Sequence, residues 1–271
     1  MKEKLSPVIA VLGAGNIGTA IARGLAAAGV RKPGEVLLTR RRPELLAALK
    51  AEGFRVSSDN RAAAKAAGVL VLAVGPGDLE ALCREIAPVL RPGQVLVSIV
   101  TGVTLAQIGG WLKKKVPLVR AMSNTAIAIR EAMTCLAAAP EHRAELERVR
   151  TLFDALGKTL VIKEELMLSA TALAGCGIAF FLRAIRAASQ GGTQIGFHSE
   201  EAQLLAAQTA RGAASLLLGA HGHPESEIDK VTTPRGCTIE GLNEMEHHGF
   251  SSAMITGIVT SNEKAGRLSR K

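Results

Sequence analysis

The chain has no tyrosine, and aromatic residues make up only 3% of its 271 positions, so the platforms on which nucleic-acid binders stack bases are scarce. Its net charge of +9 therefore points to a small anionic partner and away from nucleic acid. Cysteine is also sparse. Cys83, Cys135, Cys176 and Cys237 are widely spaced with no C-x-x-C pair, a pattern that indicates neither a disulfide framework nor a zinc site and suits a reducing cytoplasm. His221, His223, His247 and His248 form no helical H-x-x-x-H pair, so no metal is expected and these rings are placed on exposed helix ends. No uncharged apolar stretch approaches membrane-spanning length. The apolar run after Met1 to Pro7 is short for a signal peptide and ends in a glycine turn. What remains is 48% apolar residues, ample for the core of one large domain or two modest ones.

The most informative segment is Val8 to Gly18, V-I-A-V-L-G-A-G-N-I-G, an apolar strand running into Gly13, Gly15 and Gly18 at the opening of a helix. Gly13 permits the tight turn, Gly15 lets the backbone approach a pyrophosphate, and Gly18 allows close helix–strand packing, with the helix start facing the phosphates. Ile17, Ala20, Ile21, Gly24, Leu25 and Ala28 recur at helical spacing, and Gly29 stands where a C-cap glycine belongs. About twenty residues past the glycines, a site for NAD offers a carboxylate and one for NADP offers arginine. This chain reads Thr39-Arg40-Arg41-Arg42 there. Guanidiniums that chelate a 2′-phosphate favour NADPH over NADH; a solvated basic turn is the plainer alternative.

Beyond the first helix, strands and helices alternate as in a parallel sheet covered on both faces. Strands are expected at 35–39, 54–57, 69–74, 94–100, 118–121, 133–138 and 159–162, with Asp78 capping a helix before Leu79. From about Glu164 strand signals stop, and helices are expected at 164–173, 177–190, 199–220, 238–248 and 251–268. The expected architecture is an α/β Rossmann-like parallel-sheet domain over residues 1–163, followed by an all-α dimerisation and substrate domain over residues 164–271. Glu200 to Ala220 carries few charges on any face, so a partner subunit or the helix's own bundle must cover it.

Six segments in order, G-A-G-N-I-G, L-A-V-G-P, R-A-M-S-N-T, T-A-L-A-G-C-G-I-A-F, A-A-Q-T-x-x-G-A-A and T-T-P-R-G-C-T-I-E-G-L, resemble pyrroline-5-carboxylate reductases across essentially the whole chain. That resemblance implies reduction of a cyclic imino acid to proline with NADPH, by a dimer joined through helical domains or by an assembly of such dimers. Carried over by residue, it puts Gly13, Gly15, Asn16 and Ile17 on the pyrophosphate, Arg40 and Arg41 near the adenosine phosphate, and Asn60 at the adenosine end. Ala73, Val74 and Pro76 would line the strand tip, with Asn124 and Thr125 beside the nicotinamide; a loop cap is the alternative for that polar pair. The small anionic substrate is expected at Ala174, Gly175, Cys176 and Gly177, whose amides would form a helix start, and at Thr233 and Thr238. Thr238 is the candidate catalytic residue, as proton donor through its hydroxyl or a bound water. It is equally readable as an N-cap.

Departures from the family pattern gather at the substrate end. Ala174, Cys176 and Ile178 replace two serines and a proline, Arg235 stands where a glycine is usual, and Ser123 and Ala126 replace prolines around Asn124-Thr125. Gly75 stands in place of a lysine. Two further readings therefore stay open: a reductase of a different cyclic imine or small carbonyl acid, and an NADPH-binding sensor or partner protein without turnover.

Overall fold

Eight strands in a single sheet organise the first of two units in a computed structural model that describes residues 6–220 and 222–268; His221 lies outside the described residues. The order is β3-β2-β1-β4-β5-β6-β7-β8, with β1 (Ile9–Leu12), β2 (Val36–Thr39), β3 (Arg55–Ser57), β4 (Val69–Leu72), β5 (Val95–Ser98), β6 (Leu118–Met122), β7 (Ala132–Ala138) and β8 (Gly157–Val161). The first six strands run parallel; β7 is antiparallel to β6, and β8 is parallel to β7. All eight expected strands are present, with ends shifted by a residue or two.

The strand order follows from burial on both faces. Every residue of β1, β2, β4 and β5 is buried, as a sheet covered by helices on each side requires. Ile9 and Val11 point into one apolar cluster with Ile21 and Leu25 of α1 (Asn16–Ala27) and Val149 and Phe153 of α6 (Arg143–Asp154). Ala10 and Leu12 point into the other, with Ala63 of α3 (Asn60–Ala66), Leu79 and Ile86 of α4 (Pro76–Ile86) and Ile108 of α5 (Leu105–Leu112). The short α2 (Ala47–Ala51) completes the connection from β2 to β3. Between β1 and β4 the order of the chain reverses, and a crevice opens beyond the carboxyl ends of those two strands.

Compactness divides the chain between Cys176 and Gly177, and again between Thr260 and Ser261, with the C-terminal residues grouped in the first unit. The expected division at 163/164 marks where strand signals stop; the observed one falls inside a helical run. α7 (Met167–Ala170), a π-helical turn (Thr171–Cys176) and α8 (Gly177–Gln194) follow without a break. The run Glu164–Gln194 is long and apolar enough to cross a membrane by length and composition alone, with 22% of its most apolar window buried. This corrects the expectation that no stretch approaches such a length. Glycine and threonine interrupt the apolar residues there, yet no charge stands between Glu165 and Arg183.

The second unit is helical: α8, α9 (Ser199–Ala220), α10 (Pro224–Val231), α11 (Cys237–His247) and the first part of α12 (Phe250–Leu268). Gly192 meets Ala202 so closely that a Cβ would lie 3.1 Å from the alanine Cβ, and this brings α8 and α9 together. Burial of α9 in its own bundle is not observed. Ala202 is its one buried residue among those described, while Leu204 and Leu218 are 70% and 69% exposed. Helix α10 was not anticipated. Its Pro224 at the first position, acidic first turn and terminal Lys230 are ordinary helix signals, but only Ile228 and Val231 supply an apolar period.

Candidate functional site

The turn after β1 is restricted to glycine twice over. Gly13 adopts φ +92°, and a Cβ there would lie 2.5 Å from Val74 Cγ1 and 2.9 Å from the Val74 nitrogen. Its amide and that of Ala14 donate to the Thr39 carbonyl at 3.1 and 2.8 Å, fastening the turn to the tip of β2. A Cβ at Gly18 would approach Val11 Cγ1 to 2.9 Å, so this third glycine sets how closely α1 lies on β1. Gly15 is different: nothing stands within 4 Å of a Cβ built there. The space over that bare backbone is open to a ligand. No side chain caps α1 at Gly15 and no acidic residue occupies its first turn, so Asn16 and Ile17 present amides and the positive end of the helix dipole. A diphosphate fits such a cradle.

Gly13 and Gly15 form part of a cavity of about 780 Å³ that is also lined by Arg40, Arg41, Asn60, Ala73 and Val74. Seven sequence-selected positions, contributed by three strand tips and two helix starts, thus line one hollow at the sheet's crevice. Gly18, in the first turn of α1, and Pro76, first residue of α4, are outside its lining. The cavity wall also includes Arg42, the third guanidinium of the turn after β2, together with Thr39, Gly75, Asp78, Ala81, Leu82 and Glu85, none of which the sequence marks as a ligand contact. Asp78, Ala81, Leu82 and Glu85 stand at i, i+3, i+4 and i+7 on α4, and that spacing was the available signal. Asp78 is not the N-cap expected of it. Gly75 takes that place, because Pro76 already fits the first helical position.

Hydrogen bonds organise this wall. The buried Thr39 hydroxyl donates to Asn60 Oδ1 at 2.6 Å, and Asn60 Nδ2 donates to Glu85 Oε2 at 3.0 Å. Both ends of the Asn60 amide are therefore held. Arg41 Nη2 pairs with Asp78 Oδ2 at 2.7 Å, with both side chains largely exposed. The chain's buried thiols are elsewhere: burial, with Glu80 adding to it, pushes Cys83 up to about 11, and burial raises Cys135. Neither supplies a thiolate nucleophile near neutral pH.

Asn124 takes the cap role that was the alternative for it, and makes one further contact. Its Oδ1 accepts from the Ala126 amide at 3.1 Å, capping a short 3₁₀ turn over Thr125–Ile129, while Nδ2 donates to the Ala174 carbonyl at 3.1 Å. Thr125 is exposed. Ala174, Gly175 and Cys176 belong to the π-helical turn, and Gly177 continues the helix. The expected helix start at this stretch is thereby corrected. The helix begins upstream, so these amides are interior to it and no free set of donors faces an anion. The two glycines interrupt the apolar pattern without interrupting the helix.

In the second unit, Thr233, Pro234, Arg235 and Gly236 form a turn closed by a bond from the Gly236 amide to the Thr233 carbonyl at 3.0 Å. Arg235 has φ +60°, the left-handed conformation that the third residue of a type II turn requires and glycine adopts most easily. Thr238 is half-buried in the first turn of α11 and is not its cap; Gly236 precedes that helix and no side chain caps it. His223 caps α10, His248 ends α11, and His247 lies in its last turn; all three rings are exposed.

Residues 164–268 match the family model described as pyrroline-5-carboxylate reductase dimerisation, and residues 8–102 match NADP oxidoreductase, coenzyme F420-dependent. The chain is 48% identical to pyrroline-5-carboxylate reductase 1 of Dictyostelium discoideum over 96% of its own length, while spanning 49% of that longer protein. It is 46% identical to pyrroline-5-carboxylate reductase 2 of the same organism, covering 96% of this chain and 92% of the relative. Among solved structures, a pyrroline-5-carboxylate reductase of Coxiella burnetii aligns over 99% of this chain and 100% of its own, with a TM-score of 0.89 and 29% identity.

Proposed function

The chain belongs to the pyrroline-5-carboxylate reductase family, and on that premise we propose that it reduces 1-pyrroline-5-carboxylate to proline with NADPH. The observation that carries this reading is the crevice between β1 and β4, where the open backbone at Gly15 and the arginines following β2 line one cavity. When bound, NADPH supplies the hydride that adds to the imine carbon while the ring nitrogen takes a proton. Asn16 and Ile17 hold the diphosphate through backbone amides above the bare turn that Gly13 and Gly15 make, and Gly18 sets the helix against its strand. Arg40 and Arg41 pair with the 2′-phosphate, Asn60 fixes the adenosine wall, and Ala73, Val74 and Pro76 shape the passage across the sheet. Asn124 and Thr125 border the nicotinamide end.

For the substrate, the π-helical turn at Ala174 to Cys176 and Gly177 supplies surface and not free amides. The uncapped start of α11 takes over the anion-holding part, with Thr233 and Thr238 as hydroxyl donors to the carboxylate or ring nitrogen. Thr238 is also the proton donor, directly or through water. Little other acid–base machinery is required, because an iminium accepts hydride readily and positioning provides most of the rate. The working form is a homodimer joined through the helical half, a reading supported by the exposed leucines of α9. We place the enzyme in the cytoplasm, in keeping with four free cysteines.

The test is NADPH oxidation with 1-pyrroline-5-carboxylate against a panel of other cyclic imines. Preferred turnover of the five-membered imino acid supports the reading. Preference for another imine would instead follow from Ala174, Cys176 and Arg235, and tight NADPH binding without turnover would leave a sensor. In the same assay Thr238→Ala should raise KM about fivefold, as loss of one hydrogen bond of roughly 1 kcal/mol implies, and lower kcat as the proton donor is lost, with NADPH affinity unchanged.

A further inference from the structure

We infer that Asp78 sets the coenzyme preference of this site, by holding Arg41 in competition with the 2′-phosphate that distinguishes NADPH from NADH. This deepens the reading just proposed and rests on it. Asp78 and Arg41 both line the β1–β4 cavity, and their side chains are paired at 2.7 Å across its wall. Arg41 follows β2, where a 2′-phosphate is met, and Asp78 stands at the third position of α4, in its acidic first turn. The positive end of the helix dipole favours a carboxylate at that position, beside the arginine it pairs with.

A phosphate entering the cavity meets a mixed wall. Arg40, Arg41 and Arg42 are offset by Asp78 and Glu85, leaving a net of one positive charge opposite a group that carries nearly two negative ones. Glu85 is engaged with Asn60, whereas Asp78 is engaged with an arginine assigned to the phosphate. NADPH must therefore draw Arg41 away from Asp78, or share it, and must come to rest near a carboxylate that repels it. NADH lacks the phosphate and bears neither cost. The pair thus penalises NADPH selectively and brings the two affinities closer together than three adjacent arginines would suggest.

Coenzyme dissociation constants, read by nucleotide fluorescence on the full-length protein without substrate, test this apart from catalysis. Asp78→Asn should tighten NADPH by about threefold to tenfold at low salt, in line with release of an exposed ion pair and loss of one like charge, and should leave NADH within about twofold. In an Arg41→Ala background the gain from Asp78→Asn should shrink to the part owed to like-charge repulsion alone, because the pair no longer exists. Equal shifts for both coenzymes, a weaker grip on NADPH, or an undiminished gain without Arg41 would each overturn the inference. If the unaltered protein binds no NADPH, the function proposed above fails with it; if it binds NADPH and Asp78→Asn does not discriminate, only the inference fails.

Discussion

The two halves of this chain satisfy their apolar residues in different ways. Strands β1, β2, β4 and β5 are buried along their whole length, and two clusters close over the faces of the sheet within one copy. In the helical half, Phe181, Leu182, Leu204, Leu216, Leu218 and Ile255 are all at least 56% exposed. A row of leucines left in water is a face awaiting cover. The nucleotide half is complete by itself, whereas the helical half needs a second copy to finish its core. The same contrast separates the residues assigned to coenzyme, positioned at the tips of the sheet, from those assigned to substrate, which lie on helices and turns.

The largest effect should come from breaking the incomplete half. Leu204→Lys combined with Leu218→Lys places four charges in a twofold interface where four leucines would be buried. At roughly 1.5–3 kcal/mol for each buried leucine, dimer affinity should fall by about four decades or more. Sedimentation should show monomers at micromolar concentration, and turnover should disappear. NADPH binding should persist, because its cavity lies wholly in the first unit. A dimeric, active double variant would remove the contrast.

Next in size is the arginine clamp. Arg40→Ala with Arg41→Ala should weaken NADPH about thirtyfold to hundredfold, since charged hydrogen bonds contribute about 1.5–3 kcal/mol each and exposure reduces that. NADH should change by no more than about twofold. Equal losses would mean that the double substitution harms the fold of the β2 tip and that no phosphate is read there.

Much of the nucleotide half was legible in sequence because each signal was local. Gly13 and Gly18 lie where they must by conformation and by packing, and the alternation of strands with capped helices fixed the layer order. The partners of Arg41 and Asn60 were not legible as contacts. Asp78 and Glu85 come from α4, far along the chain, and only folding sets them against the tips of β2 and α3. The π-helical turn at Thr171–Cys176 left no mark in composition either. Gly175 and Gly177 read as a break and a restart, yet the helix passes through them. Asn124 shows the same limit: a turn-forming residue by type, it also reaches the Ala174 carbonyl fifty residues away.

The smallest effect should sharpen the comparison within the helical half. Arg235 holds φ +60° in a turn whose third position suits glycine, and a side chain in that conformation costs about 1 kcal/mol. Arg235→Gly removes that strain but gives the unfolded chain more freedom, which offsets part of the gain. The net stabilisation should be about 0.5 kcal/mol, roughly 1–2 °C in the melting temperature for a protein of this size. Substrate KM then decides why the arginine is kept. An unchanged KM would make the strain incidental to binding. A KM raised about fivefold, with kcat preserved, would mean that the guanidinium pairs with the substrate carboxylate, offsetting hydroxyls absent at Ala174 and Cys176. Strain would then sit in the substrate-holding half because function retains it there.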